Sequence, residues 1–276
     1  MKQETILILG GTGKTGRRVA EKLTTLGKNI RIGSRTGQIP FDWENPDTWP
    51  TVLDGIHSMY VTYQPDLAVP SARRAIEELT ALALLSGVSK IVLLSGRGEK
   101  EAQICEQIVK DAGIDWTIVR SDWFNQNFSE SFFLDPILAG HVALPRGEAR
   151  VPYVDADDLA DVVVESLLDV KHSGKTHELT GPRMLTFEEV MQEIAHATKR
   201  SIVFESISMD VYTEMLQEYE VPEDYIWLIN YLFTNVLDGR NESITNDIEE
   251  VLGRKPKDFT SYVREVAADG IWNPVK

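Results

Sequence analysis

An α/β fold, a doubly wound parallel sheet followed by a smaller, mostly helical C-terminal lobe, is what the sequence predicts. Three observations predict it: short apolar runs through residues 1–120, amphipathic stretches between them, and a glycine-rich turn joining the first run to the first amphipathic stretch. The runs are Thr5–Leu9, Asn29–Gly33, Ser58–Thr62, Lys90–Ser95 and Trp116–Arg120. A strand buried on both faces loses the polar–apolar alternation of a half-exposed one, so near-continuous runs suit a parallel sheet. After the first run, Val19, Ala20, Leu23 and Leu26 recur at helical spacing. Ala75, Ile76, Leu79, Leu82 and Ala83 share another helical face, which stops at Ser86-Gly87, a helix C-terminal signal. Repeated β-α-β units of this kind imply right-handed crossovers.

After Arg120 the rhythm changes. Residues 121–150 carry aromatics, glycines and two prolines, and read as an irregular or helical insertion. Val151–Val154 reads as a short strand, leading through Asp155, Asp157 and Asp158 into a helix from Leu159 to about Val170. The three aspartates fit an N-cap and first-turn charges better than an acid/base pair. A further strand is expected near 177–180, and from Thr186 onward mostly helix, ending in an amphipathic segment near 259–268. There is no internal repeat and no low-complexity linker. The expected division is a nucleotide-binding core of 1–120 with 151–182, and a substrate lobe of 121–150 with 183–276.

Composition bounds the function. Of 276 residues, 42% are hydrophobic and 26% charged, the profile of a packed globular chain. Asp and Glu number 43 against 28 Lys and Arg, a net charge of −15. Such a surface repels phosphate backbones and anionic lipid, so neither nucleic acid nor a membrane is an expected partner. A single cysteine, Cys105, allows no intrachain disulfide framework and no Cys-rich zinc site; on a helical stretch it reads as packed rather than nucleophilic. No apolar run is long enough to span a bilayer, and the N-terminus leads directly into the first strand, so the expected location is cytoplasmic.

The turn Gly10-Gly11-Thr12-Gly13-Lys14-Thr15-Gly16 satisfies G-x-G-x-x-G at a strand-to-helix junction. Glycines there permit a tight turn and close backbone approach, and the helix N-terminus offers unpaired N–H groups to a pyrophosphate. Gly13-Lys14-Thr15 also resembles the end of an NTPase phosphate loop, but the glycine such a loop needs five residues earlier is Ile8. A dinucleotide is the better fit. NAD-binding folds usually place an acidic residue at the end of the second strand; here the stretch is Arg31–Thr36, with no acid before Asp42. Arg35 can grip a 2′-phosphate bidentately and Ser34 can donate a further hydrogen bond, which points to NADP(H).

Other chemistry fails its spacing tests. None of the eight tyrosines has a lysine four residues later, so the tyrosine proton donor of many short-chain dehydrogenases is missing and no catalytic residue is assigned. The five histidines form no H-x-x-x-H pair, so no metal site is expected. Ser95 lacks the preceding glycine of a nucleophile elbow. Met215, Trp227, Tyr231 and Phe233 recur at helical spacing and read as core.

Taken with Ile8–Thr15, the segments Phe41–Trp49, Val119–Asn127 and Val151–Ala160 make the chain resemble the NmrA-like branch of the atypical short-chain dehydrogenases/reductases, over essentially its full length. Within that branch it is most similar to the ergot-alkaloid festuclavine/agroclavine dehydrogenase group. The resemblance implies a Rossmann core binding NADP(H), with a small substrate held between it and the helical lobe. It also implies that the 119–127 loop lies beside the nicotinamide. Trp123, Phe124 and Asn127 match that group's pattern, while Ser121 replaces its proline and leaves the loop backbone less rigid. The expected cofactor contacts are Gly10, Thr12, Gly13, Lys14 and Thr15 on the phosphates, and Ser34 and Arg35 on the 2′-phosphate. Thr62, Tyr63 and Gln64, with Ser95 and Gly96, would lie at the carboxyl edge of the sheet; Trp123, Phe124 and Asn127 would line the substrate. The expected activity is reduction of an imine, iminium or conjugated carbonyl compound, with a catalytically silent NADP(H) sensor that regulates a partner as the alternative. The oligomeric state is left open.

Overall fold

The computed structural model describes residues 4–274. Its strands are β1 (Thr5–Leu9), β2 (Asn29–Gly33), β3 (Ile56–Val61), β4 (Lys90–Gly96), β5 (Asp115–Ser121), β6 (His141–Leu144), β7 (Lys175–Leu179) and β8 (Val203–Ser206). Six of them form one parallel sheet in the order β2-β1-β3-β4-β5-β7. The expected doubly wound Rossmann sheet is therefore present. Leu7, Ile8, Leu9, Met59, Ile91, Val92, Leu93, Ile118 and Val119 are all essentially inaccessible. That explains the unbroken apolar runs, since burying one such side chain contributes about 1.5–3 kcal/mol.

The chain divides into two compact units. One runs through Ser121 and adds Ala156–Leu179 and Asp247–Arg254. It holds the six-stranded sheet and the helices Lys14–Thr25, Pro70–Leu85, Lys100–Asp111 and Ala156–Leu168. The other comprises Asp122–Asp155, Thr180–Asn246 and the chain from Lys255 on. It is mostly helical around an aromatic core that includes Phe128, Phe133, Tyr153, Phe187, Phe233, Phe259, Tyr262 and Trp272.

Local differences from the sequence reading have physical reasons. Leu26 is 56% exposed, because the helix ends at Thr25 and Leu26 turns away as its C-cap. Residues 151–154 form no strand: Val151 and Val154 make isolated bridges to Leu185 and Phe124. The helix after them begins at Ala156 and ends at Leu168, with Asp157 and Asp158 in its first turn, where the helix dipole favours carboxylates. The parallel pair β6–β8 was not expected. Among the described residues no helix is long and apolar enough to cross a membrane.

Candidate functional site

In an open parallel sheet, ligands bind beyond the carboxyl ends of the strands where the winding direction reverses. Here the reversal falls between β1 and β3, so the turn after β1 and the residues after β3 are where a ligand is expected. Gly10 has φ +69, a left-handed backbone that a side chain would strain. Its N–H donates to the Gly33 carbonyl at 2.9 Å and its carbonyl accepts from Gly13 N–H at 2.8 Å, which folds the turn back on itself. A Cβ on Gly10 would collide with the Thr62 hydroxyl, and one on Gly16 with the Gly10 carbonyl. A Cβ on Gly11 would come within 2.8 Å of Ile32. The glycines are thus required by close approach as well as by the turn. The helix that follows starts at Lys14 with Gly13 as its N-cap, no side-chain cap and no acid in its first turn. That end of the helix keeps its full affinity for an anion.

Around the turn the protein is braced by hydrogen bonds. The Tyr60 hydroxyl donates to Thr15 Oγ1 at 3.1 Å, and burial pushes that phenol well above its ordinary pKa. Thr62 Oγ1 donates to the Leu9 carbonyl at 3.1 Å. Arg18 donates to the Lys14 carbonyl at 2.8 Å and to Asp157 at 3.1 Å, so the helix start is tied to the first turn of Ala156–Leu168. Thr12 and Gly13 are exposed, and Lys14 is half-buried.

Two predicted contacts lie together at the end of β2. Arg35 is exposed and has no hydrogen-bond or ion-pair partner among the described residues. The Ser34 hydroxyl is enclosed and has no partner either. A buried orphan hydroxyl costs about 1–3 kcal/mol until it finds an acceptor. With the glycine turn, these residues fit a nucleotide bearing an extra phosphate: a cradle that side chains would fill, an uncapped helix end, an orphan donor and an unpaired guanidinium. Past β3, Thr62 and Tyr63 are half-buried and Gln64 is exposed; the Tyr63 hydroxyl lies 3.1 Å from Ser71 Oγ.

At the end of β4 the side chains are largely committed to one another. Ser95 donates to Glu106 at 2.8 Å, and Glu106 takes a bidentate grip from Arg120, at 2.7 Å on each oxygen. Arg120 also donates to Glu178 at 2.8 Å, and these carboxylates raise its already high pKa further. The Ser95 hydroxyl is therefore held in an ionic network, while Gly96 leaves room that the Glu99 carboxylate occupies. Glu99 is hydrogen-bonded to Asp66, whose carboxyl is pushed up by burial. This carboxyl pair has no spacing signature, and the sequence reading did not single it out. Cys105 is buried, and burial, with Asp66 beside it, pushes its thiol up to about 11, which makes it a packed thiol rather than a nucleophile. No group of three or more metal-ligating side chains exists among the described residues.

The three predicted substrate contacts belong to the second unit. Trp123 is half-buried against Phe133, Phe187 and Phe233, with ring centroids 5.3–6.3 Å apart. Phe124 bridges to Val154, and Asn127 N–H donates to the Phe124 carbonyl at 3.0 Å. The loop is anchored by Asp155, fully buried, which accepts from Gln126 at 3.1 Å and lies 3.9 Å from Lys257.

Comparison with known proteins gives concordant results. The profile of the NmrA-like family matches residues 99–265. Prestalk A differentiation protein A of Dictyostelium discoideum is 27% identical, over 95% of this chain and 92% of its own. Festuclavine dehydrogenase of Aspergillus fumigatus is 26% identical, over 96% and 98%. Among solved structures, the NADPH-dependent quinone oxidoreductase of Escherichia coli, complexed with NADPH, superposes with a TM-score of 0.81 at 17% identity, covering 95% of this chain and 99% of that one. NmrA, a negative transcriptional regulator solved with NAD, superposes with a TM-score of 0.72 at 14% identity, covering 98% and 97%.

Proposed function

The chain belongs to the NmrA-like family, and on that premise we propose that it is an NADPH-dependent reductase of small electrophilic organic molecules: imines, iminium ions or conjugated carbonyl compounds. One observation carries the choice of cofactor. Among the described residues Arg35 stands exposed and unpaired beside the orphaned Ser34 hydroxyl, where an NAD-specific site would place a carboxylate. In this reading the backbone of Gly10–Gly13 and the helix start at Lys14 and Thr15 hold the pyrophosphate, and Arg35 with Ser34 holds the 2′-phosphate. Thr62, Tyr63 and Gln64, with Ser95 and Gly96, line the way to the nicotinamide, and Trp123, Phe124 and Asn127 contact the substrate. The relative named festuclavine dehydrogenase and the similarly folded NADPH-dependent quinone oxidoreductase support a reductase.

When bound, the cofactor supplies a hydride. The protein's part is to hold donor and acceptor carbons in line, and alignment of this kind accounts for much of the rate in such reactions. An iminium carbon is already electron-poor and needs no proton, which agrees with a chain that has no Tyr/Lys pair. The test is NADPH and NADH oxidation followed against a panel of imines, enones, quinones and aldehydes. Turnover with NADPH in preference to NADH is expected on electron-poor members of the panel. Tight NADPH binding without turnover on any member would favour a dinucleotide sensor, in keeping with the regulator that shares the fold.

A further inference from the structure

The hydrogen-bonded carboxyls of Asp66 and Glu99 tie the segment after β3, which carries Tyr63 and Gln64, to the end of β4, which carries Ser95 and Gly96. Asp66 is half-buried in the turn before the helix Pro70–Leu85. Its Oδ1 accepts from the Ala68 N–H at 2.8 Å and its carbonyl from the Val69 N–H at 3.3 Å. Glu99 is buried at the N-cap of the helix Lys100–Asp111, yet its side chain makes no capping bond to that helix. It turns back over β4 instead, where a Cβ on Gly96 would land on the Glu99 carboxyl. There it meets Asp66 in a side-chain hydrogen bond. The Cys105 thiol, from the same helix as Glu99, lies 3.9 Å from the Leu67 carbonyl, so the two segments also pack together.

A hydrogen bond between two carboxyl groups needs a proton on one of them, because an ionised carboxylate only accepts. Removing that proton leaves two negative charges in contact and largely out of water, which adjoining carboxyls avoid by keeping one proton between them. Burial acts in the same sense on Asp66, pushing its carboxyl up against the opposing bonds from Ala68 N–H and Glu99. The other charges around the pair come from three elements. Glu106, on the helix of Glu99, is gripped by Arg120 at 2.7 Å and approached by Lys110 at 3.5 Å. Glu77 and Arg73, on the helix Pro70–Leu85, pair with each other at 3.1 Å. Arg97, in the turn after β4, is buried 3.5 Å from Glu178. Each of these carboxylates thus has a cation of its own, whereas Asp66 and Glu99 have each other.

Resting on the reading that the protein binds NADP(H), we propose that Asp66 and Glu99 hold one proton between them and act as a latch that positions the two strand-end segments of the site. With the proton in place the segments are fastened together. Without it the carboxylates repel, and Tyr63 and Gln64 part from Ser95 and Gly96. Both are positioning residues, and neither is assigned a contact with the cofactor. The test is calorimetric titration of NADP⁺ from about pH 5 to 9, in buffers of different ionisation enthalpy so that proton uptake is read as well. The unmutated protein is expected to bind about tenfold more weakly for each pH unit above the midpoint of the pair, the slope of one linked proton, and to take up a proton on binding there. Glu99→Gln gives Asp66 an amide donor with no proton to lose, so its affinity should stay level where that of the unmutated protein falls. Titration of the 2′-phosphate, near pH of about 6, affects both proteins alike and cancels in the comparison. Asp66→Asn makes the same exchange from the other side and decides the matter should Glu99→Gln not fold. Parallel pH profiles for the unmutated protein and a folded variant would overturn the latch, while leaving the cofactor reading intact. If the unmutated protein binds no NADP(H), the cofactor reading fails, and urea midpoints of the free protein decide the latch alone. A raised Asp66 carboxyl gives stability that is complete below the ordinary carboxylate range, about pH 4, and is lost as pH rises through the raised value. The unmutated midpoint should therefore drop relative to Glu99→Gln as pH rises, and parallel midpoints overturn the latch.

Discussion

Gly16 and Gly27 differ in what lies where a side chain would go, and that difference separates a glycine needed for the site from one needed only for a turn. A Cβ on Gly16 would overlap the Gly10 carbonyl, which is backbone and cannot swing aside. Gly27, at φ +68, has nothing within 4 Å. Gly16→Ala should therefore destabilise the fold by about 1–3 kcal/mol through overpacking and weaken NADPH binding as the turn is displaced. Gly27→Ala should cost only the left-handed backbone strain, about 1–2 kcal/mol, with cofactor affinity unchanged. Urea denaturation and a NADPH titration on both variants check this; equal effects on binding would remove the turn from the site. Arg35 is the second test at this scale. Its exposed guanidinium has no partner to lose among the described residues, so Arg35→Ala should leave stability alone and cost about 1.5–3 kcal/mol of NADPH affinity, the range for a charge-assisted hydrogen bond. NADH affinity should hardly move. Equal binding of the two cofactors by the unmutated protein would refute the 2′-phosphate assignment. Residues whose chemistry is carried by type and spacing, such as these glycines, were legible from sequence. The partners of Ser95 and Asp66 were not: Glu106 lies on the helix that follows β4 and Glu99 is its N-cap, and no spacing rule pairs either with its partner, so only the folded chain reveals the contacts.

Elements differ in legibility for a physical reason. The sheet strands are buried on both faces and so betray themselves as apolar runs. β6 and β8 are four residues each; β6 buries only Val142 and Leu144, and β8 is largely exposed, with Val203 at 54%, so neither carries an apolar run long enough to mark a strand. At β7 an unexpected pair appears: His172 Nδ1 and His177 Nε2 lie 3.0 Å apart, both residues are buried, and His172 Nε2 has no partner among the described residues. Burial, and then the neighbouring His177, pushes His172 down to about 4; burial also lowers His177, against the opposing pull of Asp247 and Glu250. Lys171 and Lys175 oppose protonation as well, while Asp169 favours it. A folded pKa below the unfolded value of about 6.5 means that the unfolded chain takes up protons first on acidification. Stability from this pair is complete above about pH 6.5 and is lost as pH falls toward 4. Replacing His172 by Gln should flatten that stretch of the stability profile, by about 3 kcal/mol for a shift of this size. Urea midpoints at pH 7 and 4.5 for both proteins measure it, and parallel profiles would show that the pair does not titrate as described.

At the scale of the whole molecule the chain crosses between its two compact units several times, and only part of that path was readable. The sequence changes rhythm after Arg120, and the first unit's opening segment ends at Ser121. The return of Asp247–Arg254 to that unit carries no sequence signal. It depends on pairings between residues 69 to 96 positions apart: Arg254 with Asp158 and Asp161 at 2.6 Å each, and Asp247 accepting from the Glu178 N–H at 2.7 Å. The division suggests a test of how function is distributed. Every proposed phosphate contact is in the first unit, whereas Trp123 packs with Phe133, Phe187 and Phe233 in the second. Trp123→Ala should therefore lower kcat/KM, by disturbing substrate alignment, and leave the NADPH dissociation constant within about twofold. Truncating a large aromatic in such a cluster also costs stability, about 3–5 kcal/mol when it is fully buried and less here, where the ring is half-buried, so Trp123→Phe is the gentler companion. Tyr63→Phe is the contrasting variant, because it removes a proton and keeps the ring. A general acid would lose about 10²–10⁴-fold in rate, whereas hydride delivery to an electron-poor carbon should lose less than about tenfold. Steady-state kinetics and NADPH titrations on the three variants decide the matter. A large rate loss in Tyr63→Phe at unchanged substrate affinity would make Tyr63 the proton donor, and loss of NADPH affinity in Trp123→Phe would place Trp123 on the cofactor instead of the substrate.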